Sequence, residues 1–130
     1  MSTPNPIVFT PLIKGFSWTP STTGAGGVAL PPGETQSGST IGIRADGDTT
    51  HSPGNYQYLV VMPATQTSET PAQITAALNK SLPPGNYWAA IDQTDMLNGA
   101  PSTSDWTAEV PFSIPSPIVK PAPPTAFSAA

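Results

Sequence analysis

Proline constrains this chain more than any other residue does. Eighteen of the 130 residues are proline. Each fixes φ at about −65° and removes a backbone donor, which excludes long helices and confines proline to the edges, ends and bulges of sheets. The prolines crowd both ends of the sequence. Between them lie short β-branched and aromatic runs bounded by Gly, Pro, Asn and Asp, the pattern of an all-β domain. A chain of this length makes one ordinary domain that buries roughly two-thirds of its unfolded surface.

Period-two alternation places the strands. Residues 7–9 and 13–18 are the first candidates, broken at Pro11; Phe16 and Trp18 face one way, Ser17 and Thr19 the other. Residues 39–44 put Ile41 and Ile43 on a buried face, and residues 56–62 put Tyr58, Val60 and Met62 on one face, with Leu59 and Val61 implying cover on the other. Asp46-Gly47-Asp48 and Pro53-Gly54-Asn55 are turn sequences. Residues 71–82 read two ways. Thr70-Pro71-Ala72-Gln73 resembles a helix start and Ile74, Ala77 and Leu78 have helical spacing, yet Ile74, Ala76 and Leu78 also fit a strand. Residues 87–91 form a strand, and residues 106–114 a closing strand with Trp106, Ala108, Val110, Phe112 and Ile114 inward; Pro111 implies an edge or a bulge.

From Ile114 onward the chain is a polyproline-type arm, and the first dozen residues, with Pro4, Pro6 and Pro11, are a shorter version. The expected division is an N-terminal extended arm at 1–12, a β domain at 13–114 and a proline-rich C-terminal arm at 115–130.

Charge narrows the function. Four basic and eight acidic side chains give a net charge of −4, and Lys14, Arg44, Lys80 and Lys120 lie far apart, so no nucleic-acid partner is expected. No apolar run reaches the roughly 20 residues of a membrane span, so no membrane partner is expected either. The first residues have neither a basic nor an apolar leader region, which favours a protein made and assembled inside a cell, with secretion lacking a visible signal as the alternative. The chain contains no cysteine, so its stability must come from packing. Low charge also lets surfaces approach one another, a property that suits subunits of assemblies.

Little here suits catalysis. His51 is the only histidine and sits between Thr50 and Ser52 without a nucleophile-elbow pattern, so a surface-loop role is expected. Asp46 and Asp48, with Asp92 and Asp95, are the acidic clusters. Each is too small for the six to eight oxygens of calcium unless the two meet in space, and turn capping is the expected role. Glu69 or Glu109 with an aspartate could form a glycosidase pair, but a domain this small has little cleft. The reading is therefore non-enzymatic, with no catalytic residue, metal or cofactor.

Leu82-Pro83-Pro84-Gly85-Asn86-Tyr87, followed by Trp88-Ala89-Ala90-Ile91, resembles the corner between strands E and F of fibronectin type III and related immunoglobulin-like sandwiches. The resemblance implies an immunoglobulin-like antiparallel β-sandwich whose corner tyrosine bonds to nearby backbone. Residues 56–62 would be strand C, 74–82 strand E and 106–114 strand G. Trp18 would fill the family's strand-B tryptophan position if the first strands are shifted.

With Tyr87 inward, Trp88 points outward, as a ligand platform, an interface anchor or simple edge cover. Phe127, near the end of a stiff arm, is suited to plug a pocket on a neighbour. A short, cysteine-free sandwich with arms resembles the small decoration or head-fibre proteins of tailed bacteriophages. That resemblance implies a capsid decoration or cement protein on the virion surface, assembled in the host cytoplasm, with the major capsid protein and further copies of itself as partners. The expected contact residues are Ile7, Val8, Phe9, Trp88, Ile118, Val119 and Phe127. The alternative is a carbohydrate- or peptide-binding module built on outward aromatics, with a surface glycan as ligand; Trp18, Trp88 and Trp106 with Tyr56, Tyr58 and Tyr87 motivate it.

Overall fold

Isoleucine alternating with small residues makes β3 (Thr35–Ala45) the centre of the protein. The computed structural model describes residues 6–116 and 120–129. Around β3 lie β1 (Thr10–Pro11), β2 (Phe16–Ser17), β4 (Tyr58–Pro63), β5 (Ser68–Glu69), α1 (Pro71–Leu78), β6 (Gly85–Leu97), β7 (Ala100–Thr103) and β8 (Val110–Ile114). The described residues are therefore mostly β, with one short α-helix among them. Six strands form a sheet in the order β1-β8-β6-β3-β4, with β7 beside the far half of β6, and β2 pairs separately with β5. β1 runs parallel to β8, whereas the other pairs are antiparallel.

Register decides which side chains meet. Ile41 pairs with Val60 on one side and Ile91 on the other, Ile43 with Tyr58 and Ala89, and Tyr87 with Phe112. Paired residues share a face, so these side chains form one inner layer. Phe112 stacks on Tyr87 at 5.5 Å and meets the edge of Phe16 at 5.3 Å. Phe16 and Trp18, Ile74 of α1 and Leu82 close over that layer from the opposite side. Phe16 and Trp18 thus face the same way, as alternation predicts.

The ambiguous segment is a helix, and its cap explains why. The Thr70 hydroxyl accepts the Gln73 N–H at 3.2 Å while the Gln73 side chain accepts the Thr70 N–H at 2.8 Å, and Pro71 follows the cap. This reciprocal box satisfies two donors that a strand would leave to the sheet. Asn79 ends the helix in the left-handed region at φ 57. The strand E expected at 74–82 is therefore absent, and the tyrosine corner that follows is present: Tyr87 Oη donates to the Pro83 carbonyl at 2.5 Å.

Two strand expectations need correction. Residues 7–9 form no strand; pairing starts at Thr10, and Leu12 N donates to Ser113 O at 3.0 Å. The closing strand spans only Val110–Ile114. Upstream of it, Ser104 and Thr107 bond β6 through both backbone and side chain: their N–H groups reach Gln93 O and Ile91 O, while their hydroxyls accept the N–H of Gln93 at 3.0 Å and of Ile91 at 3.1 Å. Substituting hydroxyls for carbonyls breaks the period of two, and Trp106 lands on the sheet's other face against Tyr56. Pro111 precedes the two residues that β1 covers, which leaves it at an open edge, as its missing donor requires.

Candidate functional site

The outer face of the sheet carries Thr40, Gly42 and Arg44 of β3 beside Trp88, Ala90 and Asp92 of β6, because register pairs Arg44 with Trp88, Gly42 with Ala90 and Thr40 with Asp92. Arg44 forks onto Glu109, with Nε to Oε2 at 2.8 Å and Nη2 to Oε1 at 2.6 Å. The two side chains are 15% and 12% exposed. The hydrogen bonds to Arg44 hold the Glu109 carboxyl below its usual range and raise the guanidinium above its own. The Arg44 guanidinium also lies 5.6 Å from the Trp88 ring centroid, Trp88 Nε1 donates to Asp46 Oδ1 at 3.0 Å, and Phe9 meets the ring edge-on at 5.3 Å. Trp88 thus points outward, as the parity argument requires, and is half-buried beneath Phe9 and Arg44.

Beside it the same face forms a groove of about 690 Å³ lined by Tyr56, Trp106, Asp92, Asp105 and Glu109. The Tyr56 and Trp106 rings meet edge-on at 4.9 Å. Tyr56 lies flat over Gly42, where a Cβ would stand 2.2 Å from its ring, so only glycine admits this packing. Burial raises the Asp92 carboxyl above its usual range, opposed by the Thr40 N–H that Asp92 accepts at 3.2 Å. Sequence reasoning missed this pair because inward parity was assigned to Trp106. The available signal was Gly42 itself, since an isolated glycine inside a strand marks a close approach.

The expected contact residues fall into separate places. Ile7 and Val8 are exposed, and Phe9 is the member of that segment that joins Trp88. Phe127 is 98% exposed and touches neither group. Ile118 and Val119 lie outside the described residues. On β4, an edge strand, Leu59 and Val61 are exposed on the outer face, so the cover expected there is lacking.

The chemistry-bearing residues are held in structural roles. His51 Nδ1 lies 2.6 Å from Asp48 Oδ2 and 3.0 Å from Thr50 Oγ1. Both partners meet the same ring nitrogen, so the imidazole cannot relay a proton between hydroxyl and carboxylate in the manner of a triad. Hydrogen bonds from Thr50, then His51, lower the Asp48 carboxyl to about 2. The two aspartate clusters do not meet: Ala45, next to Asp46, pairs with Tyr87 at one end of β6, and Gln36 pairs with Asp95 near the other. Among the described residues no group of three or more His, Cys, Asp or Glu side chains is placed to hold a metal ion. Glu69 is 3% exposed in the core and bonded by Gln66; Glu109 shares the groove with Asp92 and Asp105, with its carboxylate engaged by the Arg44 fork. No helix among the described residues is long and apolar enough to cross a membrane. No protein-family model matches this chain, and neither does any curated protein or solved structure.

Proposed function

We propose that this protein is a non-enzymatic assembly protein, a capsid decoration or cement protein at a virion surface that bridges neighbouring subunits through its proline-rich ends. The observation that carries the reading is Phe127, 98% exposed near the end of a proline-rich arm whose described residues are all exposed. Apolar side chains that a monomer leaves in water on stiff segments are suited to burial on a neighbour. Ile7 and Val8 at the other end, and Leu59 and Val61 on the edge strand β4, add further apolar surface of the same kind. The partners are further copies of the chain and the major capsid protein, with neither nucleic acid nor membrane involved.

An immunoglobulin-like sandwich is the architecture that best accommodates this role, with arms leaving a rigid body. Support comes from the order β8-β6-β3-β4, from β1 added in parallel beside β8, and from the facing β2–β5 pair with Trp18 just after β2. The corner hydrogen bond of Tyr87 adds to it. In this alignment β3 takes the place of strand C and β4 follows it, one strand later than the sequence reading assigned.

Gold-labelled antibody against the folded body should mark the outside of intact particles in electron micrographs. Label confined to the soluble fraction would contradict the reading. One observation favours a second role, glycan binding: the Tyr56–Trp106 groove joins aromatic rings to three carboxylates, the chemistry that binds sugar rings and hydroxyls. Under that reading Trp106→Ala abolishes binding to an oligosaccharide array and Trp88→Ala does not.

A further inference from the structure

A second groove, of about 460 Å³, opens where both terminal segments meet the body. Leu12, Ile74, Leu82, Pro83, Ile114 and Pro115 form its walls, and no charged residue lines it. The C-terminal arm leaves the fold at this rim, at Pro115. Half of residues 115–124 are proline. A polyproline chain rises about 3.1 Å per residue, so the ten residues 115–124 have a full reach of about 31 Å, and Ala126, at φ 58, bends the chain just before Phe127. A body of about 100 residues has a radius of gyration of about 13 Å. A reach of that length exceeds the radius of the body and is enough for the arm to meet a second copy. Residues 120–129 are exposed throughout, and Phe127 is not seated in the groove beside its own arm's root.

Resting on the assembly reading, we propose that this groove receives the Phe127 end of the arm of a second copy of the chain. An aromatic ring fits an apolar groove of this size, and a chain whose φ angles are fixed by proline loses less conformational freedom on docking than a flexible one. Lys120 is the arm's only charged side chain, so the arm brings none of the chain's acidic charge to a second body, and the residues around Phe127 are as uncharged as the groove. Groove and arm root are adjacent, so each copy both donates and receives. Such an exchange gives a reciprocal dimer, a closed ring or an open filament, according to the rotation between copies.

The test uses full-length chain with a photo-crosslinking benzoylphenylalanine in place of Phe127. Chains labelled with ¹⁴N and ¹⁵N are mixed, irradiated and digested, and the crosslinked peptides are read by mass. The expected result is crosslinks of mixed isotope between residue 127 and the segment 71–84, lost when Thr75→Arg fills the groove. Because Thr75 is a partly buried helical position and Arg favours helix, the variant keeps the fold, which circular dichroism verifies. Crosslinks to 71–84 within single chains only would overturn the proposal by showing that each arm serves its own body. A chain larger than a monomer that gives no crosslink to 71–84 would overturn it while leaving the assembly reading intact. A monomer at every concentration, without crosslinks, would remove self-association along with it.

Discussion

Phe112 and Phe127 put the same side chain to opposite uses. Phe112 is 3% exposed, between Tyr87 and Phe16 in the inner layer; Phe127 is 98% exposed near the end of the arm. The inner layer of the body buries its apolar side chains against the body's own second layer. The described residues of the arm pack against no layer, since a segment rich in proline supplies neither backbone ladder nor core. What the difference teaches is where a partner can add burial: at the arm, at the groove beside its root and on the exposed face of edge strand β4, rather than in the inner layer.

Substitution can break that comparison directly. Phe112→Ala should lower unfolding stability by about 4 kcal/mol, whereas Phe127→Ala should leave unfolding of the single chain within about 0.5 kcal/mol. Denaturant unfolding of dilute protein measures both, and equal losses would mean that the arm belongs to the body. The outer face tests the same self-sufficiency. Arg44→Ala leaves the Glu109 carboxylate largely buried without its cation and should cost about 3 kcal/mol. Arg44→Lys should recover only part of this loss, because an ammonium cannot reproduce the fork.

A smaller effect has the opposite sign. Burial raises the Glu69 carboxyl above 4.5, so ionisation is less favourable in the folded state than in the unfolded one. Folding stability therefore falls as pH rises from 4.5 through the raised value. Glu69→Gln should stabilise the body at neutral pH by about 1 kcal/mol. The gain should disappear below about pH 4, where the acid is protonated in both states; thermal melts at the two pH values measure it. Smallest is the loop at Asp48, whose bonds to Thr50 and His51 persist above the ordinary value of 3.8 and are lost as pH falls through about 2. The carboxyl carbon shift of Asp48 should titrate near that lower value, and a midpoint at 3.8 would contradict the bonding described.

What could be read from sequence followed from how local each cause was. Ile41 and Ile43, then Tyr58, Val60 and Met62, declare a buried face by alternation alone, and the Leu82–Tyr87 corner is a contiguous motif. The segment at 71–78 carried its answer in Thr70 and Gln73, but alanine fits both periods and left the choice open. Strand β6 extends to Leu97, past the Ile91 that hydrophobicity suggested, because β3 and β7 pair with its polar half. Trp106 was misplaced for a reason no periodicity contains: the Ser104 and Thr107 hydroxyls enter the ladder and reset the alternation. Ile7, Val8 and Phe127 were legible as apolar side chains on proline-rich segments, whereas the partner surface proposed for them would lie on another molecule.

The most direct test of the account is the solution mass by light scattering, for the full-length chain and for a chain ending at Ile114. The account predicts a species larger than the 13.4 kDa monomer that falls to monomer on truncation while keeping its circular dichroism. A full-length chain that is monomeric at every concentration, or an oligomer unchanged by loss of the arm, would contradict it.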